Sequence, residues 1–184
     1  MTHTAASRVL ICGSRRWPWP DTVTTLLDRA AARYGDDLVI IEGASTGAAR
    51  AAHRWCLDQD LPDWRHRCHP LIRAGRRTRR HWSEVERNQR MLQDEGPRLV
   101  IAFHDRFTPD EGSTAQLCQR ALTAGIPVWL VPTADPDRGM WLSPDHVAHQ
   151  HNSSTRCRQT TPLSGPARTA SESESGPASL PPPP

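Results

Sequence analysis

Three turns built from glycine and small hydroxyl-bearing residues carry the chemistry most readily read from this chain. They are Gly13-Ser14-Arg15 after RVLIC, Gly43-Ala44-Ser45-Thr46-Gly47 after LVIIE, and Gly112-Ser113-Thr114 after LVIAFHD. Where a strand ends in such a turn and feeds a helix, unpaired backbone N–H groups and the positive end of the helix dipole point at one place, which suits phosphate. One turn of this kind means little, because glycine is the ordinary residue of any tight strand-to-helix connection. Three in register mean more, since parallel strands bring their carboxyl ends to one edge of a sheet. The reading requires the turns to converge on one cleft that side chains do not plug.

Two further groups have residue types fit for recognition. Arg87 and Asn88, in the segment RNQRM, are expected to face the same cleft: helical spacing puts Arg87 on one face with Arg90 or Met91, and Asn88 adds hydrogen-bonding capacity that a plain surface helix does not need. The stretch Arg65 to His81 holds seven arginines and three histidines flanked by Trp64 and Trp82, a composition able to neutralise phosphates and stack on unpaired bases. Single-stranded nucleic-acid binding through Arg65–Arg80 is therefore the less favoured alternative. His66, Cys68 and His69 cluster in sequence, as do His146, His149 and His151, but neither group has the paired-cysteine spacing of a structural zinc site, so no metal and no cofactor are expected. Trp17 and Trp19 fit either a wall of a base-binding slot or a staple closing the first loop over the core.

The elements that must position these residues alternate. Strands are read at Arg8–Cys12, Leu38–Ile41, Trp64–His69, Arg98–Phe103 and Pro127–Val131. Helices are read at Asp21–Tyr34 with Asp21 as N-cap, Thr46–Gln59 with Thr46 capping, Arg79–Asp94 and Ser113–Ala124. This order predicts an α/β fold: a three-layer, Rossmann-like domain with a mostly parallel sheet of about five strands over residues 8–132. Residues 133–151, with Met140, Trp141 and Leu142, read as an extension packed on that domain, and the Ser- and Pro-rich residues 152–184 as a disordered tail.

Composition narrows the function classes. All 23 basic residues are arginine, and the net charge of +3 is too modest to imply nucleic acid by itself. Five cysteines without CxxC spacing suit reduced, buried thiols. No segment reaches the ~20 apolar residues of a membrane span, and MTHTAASR is not a signal peptide, so a cytoplasmic protein without a membrane partner is expected.

Taken together, RVLICGSRRW, VIIEGASTGAARAA, RNQRML, and LVIAF followed by Gly-Ser-Thr and AGIPV resemble the YspA-type, cpYpsA-related branch of the SLOG superfamily, across roughly Arg8 to Val131. That superfamily includes the Lonely-guy phosphoribohydrolases and the DNA-processing protein DprA, a single-stranded DNA binder. The resemblance implies a Rossmann-like fold that binds a nucleotide or nucleotide-derived ligand in a sensing or regulatory role. It assigns binding to Gly13, Ser14, Arg15, Gly43, Ala44, Thr46, Gly47, Arg87, Asn88, Gly112, Ser113 and Thr114. Superfamily relatives often dimerise, so a homodimer is an assembly that the resemblance leaves open.

The resemblance also marks departures. Relatives commonly have Asp where this chain has Ala49, which removes a carboxylate able to reach a ribose or base. The phosphoribohydrolases carry PGGxGTxxE; here Ser113-Thr114 aligns with the Gly-Thr pair, the Pro-Gly-Gly is missing, and no carboxylate fills the catalytic slot. Glu111 lies just before the turn as a substitute pointing differently. No catalytic residue is therefore assigned, and a nucleoside 5'-monophosphate phosphoribohydrolase-like enzyme is kept as an alternative to binding alone.

Overall fold

The computed structural model describes residues 6–71, 84–109 and 111–144. Six strands, β1 (Ser7–Gly13), β2 (Leu38–Glu42), β3 (His66–Cys68), β4 (Leu99–Phe103), β5 (Val128–Val131) and β6 (Met140–Leu142), form one sheet in the order β3-β2-β1-β4-β5-β6. The first five are parallel, and β6 returns antiparallel to β5. Sequence reading expected about five strands; the sixth comes from the extension, where Leu142 is buried opposite Val128. Three residues are too short a run for periodicity to separate from a loop.

The helices are α1 (Pro20–Tyr34), α2 (Ala48–Asp58), α3 (Glu84–Gln93) and α4 (Gly112–Thr123). Fully apolar strands such as LVIAF are buried on both faces, as a sheet covered on both sides requires. Val9, Ile11, Ile40 and Ile101 pack with Val23, Leu27, Ala52 and Trp55 of α1 and α2. Leu10, Ile41, Val100 and Leu130 pack with Met91, Leu117 and Cys118 of α3 and α4. Each large side chain buried this way contributes about 1.5–3 kcal/mol.

Two expected caps are replaced. Pro20 opens α1 with Trp19 at the N-cap, so Asp21 lies in the first turn, where its charge still favours the helix dipole. Gly47, not Thr46, is the N-cap of α2, and no side chain caps it; Thr46 is exposed. Steric contact decides this: a Cβ at Gly47 would lie 2.1 Å from the Ser14 carbonyl oxygen, and the backbone there has φ +67°. Of the helix expected over Arg79–Asp94, residues 79–83 lie outside the described residues, as do Trp82, the second histidine group and the tail 152–184. Trp17 acts as a staple: it is buried against Phe103 and Trp19, and its Nε1 donates to the Trp19 carbonyl at 2.7 Å.

Candidate functional site

Strand order reverses between β1 and β4, whose carboxyl ends flank the point where open α/β sheets form a ligand crevice. Gly13 makes the close approach there: a Cβ would lie 2.2 Å from the Phe103 carbonyl oxygen, which instead accepts from the Ser14 amide at 2.8 Å. The second turn locks onto the first, with the Ala48 amide donating to the Ser14 carbonyl at 3.3 Å. The third turn is tied to α3, where the Asn88 side-chain amide donates to the Ser113 carbonyl at 3.2 Å.

All three turns and α3 meet at one cavity. It is lined by Cys12, Gly13, Arg15, Gly43, Ser45, Ala49, Glu84, Arg87, Asn88, Met91, Ser113 and Thr114, among others. Of the twelve residues singled out from sequence, Gly13, Arg15, Gly43, Arg87, Asn88, Ser113 and Thr114 are brought together here, whereas Ser14, Ala44, Thr46, Gly47 and Gly112 do not line the space. Arg87 shares the lining face with Met91, as helical spacing allows.

The turns converge, but the cavity has room for about one water, about 30 Å³, so the second half of the expectation, a cleft that side chains leave open, is not met in this conformation. Arg87 is bonded into its wall. Its Nη1 donates to the Gly43 carbonyl at 3.0 Å and its Nη2 to Asn88 Oδ1 at 3.3 Å, while Nε is buried without a hydrogen-bond partner. Gly43 makes room for this: a Cβ there would lie 2.9 Å from Arg87 Cζ. Burial lowers the Arg87 pKa, Glu84 opposes that shift, and Arg15 adds to it. The guanidinium nonetheless stays charged at neutral pH.

Glu84 is a cleft residue that sequence reading missed. Its carboxylate pairs with the exposed Arg15 and lies 3.9 Å from Arg87 Nη2, so it stands between the two cations. A carboxylate among cleft-facing arginines in the RNQRM helix was the available signal, three residues before Arg87. Glu111, by contrast, is exposed at the N-cap of α4 and does not line the cavity.

Several turn amides expected to face phosphate are used internally. Ser14 N binds Phe103 O, Arg16 N binds Ser14 Oγ at 3.1 Å, and Ala44 N binds the Glu42 carboxylate. The cationic side chains that line the cavity are Arg15 and Arg87. The hydrogen bond with Cys118 and burial hold the Cys12 thiol well above the usual range, which disfavours the thiolate.

The basic stretch divides in two. Arg65 donates to the Leu38 and Gly35 carbonyls and to Asp36, and Arg67 and His69 bind Glu95. These groups anchor β3, and residues 72–80 lie outside the described residues. Among the described residues no helix is long and apolar enough to cross a membrane.

Residues 7–69 match the model of the YspA, cpYpsA-related SLOG family. The matched segment runs from β1 through β3 and contains the first two turns; α3 and α4, which supply Arg87, Asn88 and Ser113, lie beyond it. No curated protein and no solved structure matches the chain.

Proposed function

From SLOG-family membership over residues 7–69 and the convergence of three turns on Arg87, we propose that this protein binds a phosphate-bearing nucleotide or nucleotide derivative in a sensing or regulatory role. The supporting observation is the buried guanidinium. A charge taken out of water is costly unless paired, and Arg87 has carbonyl partners, a carboxylate only at 3.9 Å and a spare buried Nε–H. A phosphate would supply the missing acceptor and the opposite charge. It enters by displacing Glu84 from between Arg15 and Arg87, since the cavity as it stands is too small for it. Binding without turnover is the favoured form: Glu111 is exposed and does not line the cavity, and the carboxylate that does, Glu84, is paired with Arg15.

Isothermal titration of the full chain with AMP, NAD and ADP-ribose tests the reading. Saturable binding is expected, weakened by roughly 10- to 100-fold in Arg87→Ala, the range set by losing a hydrogen bond to a charged group. No binding across the panel overturns it. Release of free base from a nucleoside monophosphate would replace it with the hydrolase reading.

A further inference from the structure

We propose that Glu42, His53, His66 and Cys68 form a tetrahedral Zn²⁺ site that braces the turn after β2. The four residues come from three elements. Glu42 ends β2, Cys68 is its register partner on β3, and His66 lies two residues earlier on β3, on the same face of the sheet. His53 reaches down from α2, which covers that face. One donor atom from each, a carboxylate oxygen, two imidazole nitrogens and the sulfur, can be chosen so that all four lie within 4.8 Å of one another.

The spacing brackets what the ion requires, with two contacts shorter and the outer limit of 4.8 Å longer. Zinc bonds of about 2.0–2.3 Å in a tetrahedron set donor–donor separations of roughly 3.3–3.8 Å. Glu42 Oε1 now lies 2.9 Å from His53 Nδ1 and 3.1 Å from His66 Nε2, so those contacts open by a few tenths of an ångström to admit a cation. The other carboxylate oxygen accepts the Ala44 amide, the kind of outer hydrogen bond that fixes a ligand's orientation.

Charge points the same way. Glu42 is fully buried, and among the described residues its side-chain ion-pair partners are the two histidines, with no guanidinium in contact. A divalent cation held there would compensate the buried carboxylate. The mixed nitrogen, sulfur and oxygen set disfavours Ca²⁺ and Mg²⁺, which take oxygen ligands, and suits Zn²⁺, which displaces the thiol proton on binding. Half-buried His53 and Cys68 leave a path of entry. With all four positions filled by protein the ion is structural, holding Ala44 in its left-handed conformation at φ 44°.

The test uses the full chain, stripped with a chelator. Zn²⁺ titrated against a chromophoric chelator should bind at one tight equivalent, weakened by more than about 100-fold in His66→Ala, since even outer-sphere losses cost 10- to 100-fold. Co²⁺ in place of Zn²⁺ should give a thiolate-to-metal charge-transfer band that Cys68→Ser abolishes and Cys157→Ser leaves intact. Circular dichroism shows whether each variant is folded; if His66→Ala is not, the conservative Cys68→Ser and the half-exposed His53→Gln carry the test. Absence of a tight equivalent, or a band that survives Cys68→Ser, overturns the proposal and leaves a metal-free Glu–His network.

Discussion

Glu42 and Glu95 are two buried carboxylates served by opposite faces of one three-residue strand, and their partners differ in kind. From β3, His66 and Cys68 turn toward Glu42, whereas Arg67 and the following His69 turn toward Glu95. Glu95 also receives Arg8 from the start of the neighbouring part of the sheet. Its burial pushes its pKa up, but hydrogen bonds from Arg67 and His69 and the charges of Arg67 and Arg8 outweigh that, and the net shift is downward. Glu95 is thus a completed ion cluster that pins the edge strand to the end of α3. Glu42 has hydrogen bonds but no fixed positive charge in contact. A buried acid ringed by arginine reads as architecture, and one ringed by metal-ligating groups reads as a site.

Glu95→Gln should show the largest effect. It removes the carboxylate shared by Arg8, Arg67 and His69 and should cost roughly 2 kcal/mol at neutral pH, measured from urea unfolding. Acid tests the same cluster without mutation. Because the folded pKa lies below the ordinary 4.5, the stabilisation is complete above that value and is lost as pH falls through the lower folded value. The stability gap between the parent protein and Glu95→Gln should therefore close on acidification below about pH 4.5.

Glu42→Gln in zinc-free protein should cost only about 1 kcal/mol, since the amide oxygen can still accept from Ala44. A loss equal to that of Glu95→Gln would break the contrast. Gly43→Ala sharpens it differently: the new Cβ meets the Arg87 guanidinium, not the Glu42 cluster, so stability should fall by about 1 kcal/mol while nucleotide affinity drops and Zn²⁺ affinity holds. Asp36→Ala should be the smallest effect, with no measurable shift in the unfolding midpoint, because that carboxylate is fully exposed and Arg65 keeps its two carbonyl partners.

The parallel sheet and four helices were legible because their apolar runs are long and their turns rich in glycine. The convergence of Gly13, Gly43 and Ser113 was legible too, since it follows from parallel strand direction alone, whereas the reach of Arg87 across the cavity to the Gly43 carbonyl was not. Helix starts were not: Gly47 takes the cap position because it must pass within touching distance of Ser14, a contact invisible in local sequence. The grouping of His66, Cys68 and His69 fails for a simpler reason. Strand alternation sends His69 to the other face and pairs His66 and Cys68 with Glu42 and His53, which lie 24 and 13 residues before His66. Applying that alternation to residues 66–69 was the signal that could have separated them.

The antiparallel return of β6 has a practical outcome for handling the protein. Because Leu142 pairs with Val128 at the beginning of β5, the chain passes out of the sheet on the rim where β1 also starts at Ser7, across the molecule from Arg87. An anchoring tag placed ahead of Ser7 would thus present the Arg87 side outward, a favourable geometry for surface-based capture of small ligands.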